Sequence, residues 1–207
     1  MRECAMVNAL VLSGYQKRAA RLAWATIAWN VVEAVVAIVA GTAASSIALV
    51  GFGLDSTVEV MSAVVIVWQF RGLADDRERR ALKLIAGSFF ALAAYVAVQA
   101  IIDLLRRSEP ESSVVGIGLA IASLVVMPML ARAKRRNGNA MGSATVVADS
   151  NQTKLCAYLS AILLVGLILN ATAGWWWADP IAALAIAALA INEGREAWRG
   201  ETCDGCC

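Results

Sequence analysis

Long apolar runs separated by short polar segments dominate the pattern of this 207-residue chain. Each run can supply the roughly 20 residues that a helix needs to cross about 30 Å of hydrocarbon. The runs are continuous and lack the two-residue alternation of strands in an outer-membrane barrel. The pattern therefore predicts an all-α, polytopic membrane protein with six transmembrane helices. The predicted helices cover residues 22–42, 46–70, 82–105, 114–131, 145–173 and 175–196.

Basic residues fall mostly on one side of the predicted bundle. Lys and Arg cluster at residues 71–83 and 132–136, whereas the predicted loops on the other side hold Arg106 and Arg107 alone. Because cytoplasmic segments carry the excess of Lys and Arg, this asymmetry places both termini in the cytoplasm. The connections are short, so we expect one transmembrane domain over residues 1–200 and a Cys-rich cytoplasmic tail at 201–207.

The composition narrows the class of protein. Sixty per cent of the residues are hydrophobic, 16% are charged and the mean hydropathy is +0.67, which is the balance of a multi-span membrane protein. The first residues lack the features of a secretory signal, so we expect a retained cytoplasmic leader. Without a basic stripe and interleaved aromatic residues, no nucleic acid is expected as a partner. In a prokaryote, the expected location is the plasma or inner membrane.

Two carboxylates interrupt the second apolar run. Asp55 and Glu59 are four residues apart and therefore share one face of the predicted helix. An acidic side chain at membrane depth costs several kcal/mol unless it meets a partner, an ion or water. The pair therefore predicts an ion or proton site. The alternative is a hydrogen bond between helices, or a helix end that lies outside the membrane.

Polar residues in the first half of the fifth run form a second stripe. Asp149, Gln152 and Cys156 follow one another at i, i+3 and i+7. At 1.5 Å per residue, Asp55 lies about 14 Å from the outer end of its helix, and Cys156 lies about 18 Å from the inner end of its own. Across a core of about 30 Å these two residues are level, near the depth at which secondary transporters hold their ions. The alternative for Cys156 is a small apolar side chain packed between helices.

These residues carry a resemblance to the cation diffusion facilitator superfamily of divalent-metal transporters. In that family the second and fifth helices each carry two metal ligands four residues apart, usually Asp or His followed by Asp. The segment from Asp55 to Glu59 fits the first pair, and the segment from Ala148 to Cys156 resembles the family's Ala-Asp-x-x-His-x-x-x-Asp stretch. Further similar segments are Asn30 with Glu33, Ser88 to Tyr95, and Trp177 to Pro180.

The resemblance implies a transporter with a metal site between the second and fifth helices, and no enzyme activity. It implies Asp55, Glu59, Gln152 and Cys156 as metal ligands, with Asp149, Asn30 and Glu33 as secondary ones. The expected cargo is Zn²⁺, with Cd²⁺ and Co²⁺ as alternatives, exported from the cytoplasm in exchange for protons. No tightly bound cofactor is expected. The expected partners are metal ions, protons, the lipid bilayer and, because small residues allow close helix packing, a possible second copy of the chain.

The chain also departs from the family pattern. It contains no histidine, so Gln152 stands at the position of the family's fifth-helix His, and Cys156 at that of the following Asp. We expect a short, divergent member without the cytoplasmic metal-binding domain that usually follows the sixth helix.

Three cysteines near the end of the chain suggest a second function. Cys203, Cys206 and Cys207 lie in a reducing compartment on the predicted topology, so disulfides are not expected. Three thiolates can capture Zn²⁺ or Cu⁺, although no second Cys pair completes a structural site. The alternative function is therefore a non-transporting metal sensor, buffer or auxiliary subunit that uses this tail. An intramembrane metalloenzyme is disfavoured because no His-Glu-x-x-His set is present.

Overall fold

The computed structural model describes residues 2–69, 75–142 and 144–199, and within these ranges it contains six helices and no strand. The predicted all-α fold with six helices is confirmed. The helices are α1 (Arg2–Ala43), α2 (Ile47–Gln69), α3 (Asp75–Arg106), α4 (Val114–Met141), α5 (Ala144–Ala173) and α6 (Ala178–Arg199). The sidedness of the termini and the division into a domain and a tail stay predictions.

Several helices are longer than the apolar runs that predicted them. α1 begins at Arg2 instead of residue 22, and α4 continues to Met141 instead of residue 131. Hydropathy marks the part of a helix that suits hydrocarbon, whereas the helix itself continues until its backbone is capped. α4 is capped by Gly142, whose left-handed φ of 63° lets its N–H bond to the carbonyls of Gly138 and Asn139.

Among the residues that the structure describes, four segments are long and apolar enough to cross a membrane, by length and composition: Lys17–Ala43, Ala86–Arg106, Val114–Met141 and Thr153–Ala173. Their outer faces carry exposed large side chains such as Val39, Val125 and Val165. Exposed apolar surface on this scale is typical of a surface that meets lipid or another protein. These features indicate a multi-pass membrane protein.

The helices fall into two groups. α1, α2, α4 and α5 form a four-helix bundle, in which α1 pairs with α2 and α4 pairs with α5. α3 and α6 form a third pair, which joins the bundle through α2 and α5. Phe52, Leu163 and Ile186 are completely buried in the shared core. α2 therefore lies between the two groups and contacts α1, α5 and α6.

The close approach of α1 to α2 depends on Gly53. A Cβ atom at this position would lie 2.8 Å from Ile38 Cγ1 and 3.0 Å from Ala37 Cβ, which is closer than ordinary van der Waals contact. Small residues let helix backbones approach closely in this way. Gly53 therefore brings the polar residues of α1 against α2.

The start of α2 is tied to the start of α6. The Ser46 hydroxyl and the Ala48 N–H both donate hydrogen bonds to the buried carboxylate of Asp179, in the first turn of α6. Because the first N–H groups of a helix have no partner within it, a carboxylate at this end is stabilising. These bonds explain structurally why an acidic residue lies at the start of the last apolar run.

Candidate functional site

The candidate site begins with two polar residues of α1. Asn30 and Glu33 lie one turn apart, and both side chains are completely buried. Ser56 of α2 donates a hydrogen bond of 3.0 Å from its Oγ to Glu33 Oε2. This bond crosses the contact that Gly53 permits and fixes the Glu33 carboxylate at the boundary between α1 and α2.

Cys156 reaches the same carboxylate from α5. Its thiol, which is 2% exposed, donates to Glu33 Oε2 over a distance of 3.9 Å. The thiol also contacts the carboxylate of Glu59. The sequence suggested Glu33 only as a secondary ligand, whereas the structure places its carboxylate between Ser56 and Cys156.

Asp55 and Glu59 complete the acidic part of the cluster. Both are buried on α2, and both interact electrostatically with Glu33 and with each other. The structure therefore brings Glu33, Asp55, Glu59 and Cys156 together, where α1, α2 and α5 meet. We call these four residues the acidic cluster.

Glu193 of α6 is a neighbour that the sequence reasoning missed. This half-buried residue interacts electrostatically with Asp55 and Glu59, so a third acidic helix face borders the cluster. Its sequence signal is an acid at the end of an apolar run. It lies fourteen residues after Asp179, close to four full turns, and thus on nearly the same helix face.

Some polar atoms beside the cluster have no hydrogen-bond partner among the described residues. They are both amide atoms of Asn30, Nδ2 and Oδ1, and the second carboxylate oxygen of Glu33, Oε1. A buried polar atom left unsatisfied costs about 1–3 kcal/mol, so such atoms are normally completed by water or an ion. Carboxylate and amide oxygens can both coordinate a cation. The interior of the bundle at this point is therefore suited to bind water or a cation.

The acidic cluster is not closed into a coordination sphere. Within the described ranges, no three acidic or cysteine side chains converge closely enough to hold a metal ion. The backbone of α5 carries Asp149 and Gln152, but their side chains lie outside the part that the structure describes. Cys203, Cys206 and Cys207 also lie outside the described residues.

Comparison with protein families identifies the chain. A family described as the cation efflux transmembrane domain matches residues 82–199, which is more than half of the sequence. This chain belongs to the cation efflux family. Membership in the predicted superfamily is confirmed, and so is the multi-pass membrane location. The family match includes Cys156 and Glu193, whereas Glu33, Asp55 and Glu59 precede it.

Three relatives extend this comparison. Transmembrane protein 163 of Xenopus laevis is 23% identical over 185 residues, which cover 87% of this chain and 66% of that protein. Cation-efflux pump FieF of Shewanella oneidensis is 34% identical over 103 residues, covering 50% of this chain and 33% of the pump. An uncharacterized transporter of Synechocystis sp. is 27% identical over 152 residues, covering 68% and 49%. The chain of this cation efflux family member therefore spans from a third to two thirds of these relatives.

Proposed function

We propose that this member of the cation efflux family carries a divalent metal ion across the membrane. The expected cargo is Zn²⁺, with Cd²⁺ and Co²⁺ as alternatives, and the expected direction is out of the cytoplasm in exchange for protons. The observation that carries the proposal is the acidic cluster, a set of three carboxylates and a thiol buried inside the helix bundle. Family membership favours transport over catalysis, and we propose no enzyme activity.

The geometry around Cys156 supports a shared metal ligand set. A tetrahedral zinc site has Zn–S distances of about 2.3 Å and Zn–O distances of about 2.0–2.2 Å, so a sulfur and an oxygen on one ion lie about 3.6 Å apart. Cys156 Sγ and Glu33 Oε2 are 3.9 Å apart. A small movement thus brings both onto one ion, and the two remaining positions of a tetrahedral site can be filled from Asp55, Glu59 and Gln152, the other members of the predicted set.

Proton exchange follows from the chemistry of these ligands. Carboxyl and thiol groups must lose their protons to bind a divalent cation, so binding the metal releases protons and protonation releases the metal. Coupling of this kind needs no histidine, which the chain lacks. In the proposed cycle the cluster loads from the cytoplasm, the bundle rocks outward, and protonation from the other side unloads it.

The thiol also favours particular cargoes. Soft thiolate ligands prefer Zn²⁺, Cd²⁺ or Cu⁺, whereas Mg²⁺ and Mn²⁺ prefer a set made of oxygen atoms alone. With Cys156 beside Glu33 and Glu59, the cluster offers a mixed set that suits a borderline ion such as Zn²⁺.

Flux through liposomes tests this proposal. Purified full-length protein is reconstituted around a fluorescent zinc indicator, and a pH gradient is imposed or collapsed. We expect protein-dependent Zn²⁺ flux that follows the proton gradient and disappears in Asp55→Asn. The matched control is Asp103→Asn, which removes an acid of α3 outside the acidic cluster and is expected to keep the flux.

The opposite results distinguish a transporter from a protein that binds metal without transporting it. If Zn²⁺, Cd²⁺, Co²⁺ and Mn²⁺ all fail to move in either direction, the transporter proposal is wrong. Stoichiometric binding without any flux would then favour the sensor, buffer or auxiliary subunit.

A further inference from the structure

A groove of about 360 Å³ runs between α4 and α5 on the outside of the bundle. It does not open onto the acidic cluster, because Cys156 faces the interior while Lys154 and Tyr158 line the groove. Nothing in the transport proposal uses this surface.

The two helices run antiparallel along the groove, so depth can be read from paired residues. Gly138 lies against Val147, and Lys134 Nζ donates a 2.9 Å hydrogen bond to Thr153 Oγ1. Continuing this register places Arg132 level with Lys154. Arg135 then lies about one turn nearer the connection between the helices.

The lining changes from basic to apolar along the groove. Arg132, Arg135 and Lys154 form the end near the connection, and all three side chains are exposed. Pro128, Leu124 and Ala161 follow toward the other end. From Arg135 to Leu124 the groove extends about 16 Å, which matches half of a hydrocarbon core of about 30 Å. None of the described residues that line it is acidic.

Lys154 is held in place by an aromatic ring. Its Nζ lies over Tyr158, 5.7 Å from the ring centroid, which is within the range of a cation–π interaction. The stem of the lysine therefore lies along the groove wall, and its charge adds to that of the two arginines. The groove therefore has a positively charged end that continues directly into its apolar part.

We propose that the groove binds one anionic phospholipid. The phosphate group lies among Arg132, Arg135 and Lys154, and an acyl chain follows the apolar part past Pro128 to Leu124. Charge complementarity selects the anionic class, because a neutral headgroup brings no net charge to three cations. Basic pockets between transmembrane helices on the cytoplasmic side are known to hold anionic headgroups, and the predicted topology places this end of the groove on that side. The proposal does not rest on transport.

Native mass spectrometry of the full-length protein in detergent tests the headgroup. We expect phosphatidylglycerol to be retained at least fivefold better than phosphatidylcholine. The triple variant Arg132→Gln/Arg135→Gln/Lys154→Gln should lose this preference, while Arg136→Gln should keep it. Arg136 is the matched control because it is an exposed arginine of α4 that does not line the groove. Equal retention of both lipids, or an equal loss in Arg136→Gln, would overturn the proposal.

Two further measurements separate a lipid from a free anion. Millimolar inorganic phosphate or glycerol phosphate should not displace phosphatidylglycerol, because neither has an acyl chain. Leu124→Trp fills the apolar end, keeps all three cations, and should lower retention at least threefold. Displacement by phosphate would instead show a simple anion site, and unchanged retention in Leu124→Trp would remove the acyl chain from the groove. Circular dichroism and size-exclusion chromatography confirm that each variant is folded.

Discussion

Cys156 and Tyr158 are two residues apart on α5, yet they belong to regions of opposite charge and opposite exposure. Cys156 faces the buried acidic cluster, whereas Tyr158 lines the exposed basic groove. Buried charges interact strongly because the surrounding dielectric is low, and exposed charges are screened by water and salt. Neutralising a charge should therefore have a large effect in the cluster and a small one in the groove.

The acidic cluster and the groove also differ in the charge of the species that each is proposed to bind. In the proposed transport cycle the acidic cluster exchanges protons for a cation, because its ligands bind metal in their deprotonated forms. The cations of the groove are exposed, so their interaction with an anion weakens as the salt concentration rises. A change in the acidic cluster should therefore alter how binding depends on pH, whereas a change in the groove should alter how binding depends on salt.

The largest effect is expected for Glu33→Gln. This change keeps the size of a buried side chain but replaces the carboxylate that Ser56 and Cys156 both contact. Loss of a supporting residue around a metal site typically lowers affinity 10–100-fold, so loss of a ligand should lower Zn²⁺ affinity by about 100-fold or more. Isothermal titration calorimetry measures this change, with Asp103→Asn as the control. Unchanged affinity would show that Glu33 only forms hydrogen bonds between helices and does not bind the metal.

A change in packing near the cluster comes next. In Gly53→Ala the new methyl group meets Ile38 and Ala37, and overpacking of this kind typically costs about 1–3 kcal/mol. Gly118→Ala is the matched control, because nothing lies within 4 Å of its new Cβ atom. Thermal unfolding in one detergent should show a lower midpoint for Gly53→Ala alone. Equal midpoints would mean that α1 and α2 can separate without loss.

These two residues also show what the sequence could and could not predict. Gly53 lies in an apolar run like several other glycines, and only the neighbouring helix distinguishes it. The position of Glu33 beside Cys156 depends on how three helices pack, which hydropathy does not encode. By contrast, the number of helices follows directly from the apolar runs, because the cost of exposing polar backbone in lipid leaves little choice.

The family resemblance predicted more residues of the site than the hydropathy pattern did, but it did not predict all of them. It identified Asp55, Glu59 and Cys156 from their spacing, and the structure brings these residues together. Glu193 has no counterpart in the motifs that carried the resemblance, so only its place on α6 reveals it. Whether these side chains bind an ion stays a prediction.

A smaller effect is expected from changing the ligand type at Cys156. Cys156→Asp restores the carboxylate of the family pattern, so Zn²⁺ binding should persist while the preference for Cd²⁺ over Zn²⁺ falls about tenfold. In the wild-type protein, metal affinity should rise with pH, since the thiol must lose its proton to bind. Competition between the two ions at several pH values measures both. If Cys156→Ala leaves the preference and its pH dependence unchanged, the thiol is only a packed side chain.

The smallest effect tests whether the two faces of α5 act independently. In phosphatidylglycerol bilayers the wild-type protein should be more stable than in phosphatidylcholine, by about 1 kcal/mol for each basic residue near the headgroups. The triple groove variant should lose this gain but keep its Zn²⁺ affinity within about twofold, since none of the three cations is in the acidic cluster. Glu33→Gln should show the reverse, with normal lipid stabilisation and weak metal binding.

Raising the salt concentration should reduce the stability that phosphatidylglycerol adds to the wild-type protein, because the groove is exposed to screening. If the groove variant instead changes Zn²⁺ affinity, the lipid and the metal are coupled through α5, and a bound phospholipid becomes part of the transport cycle.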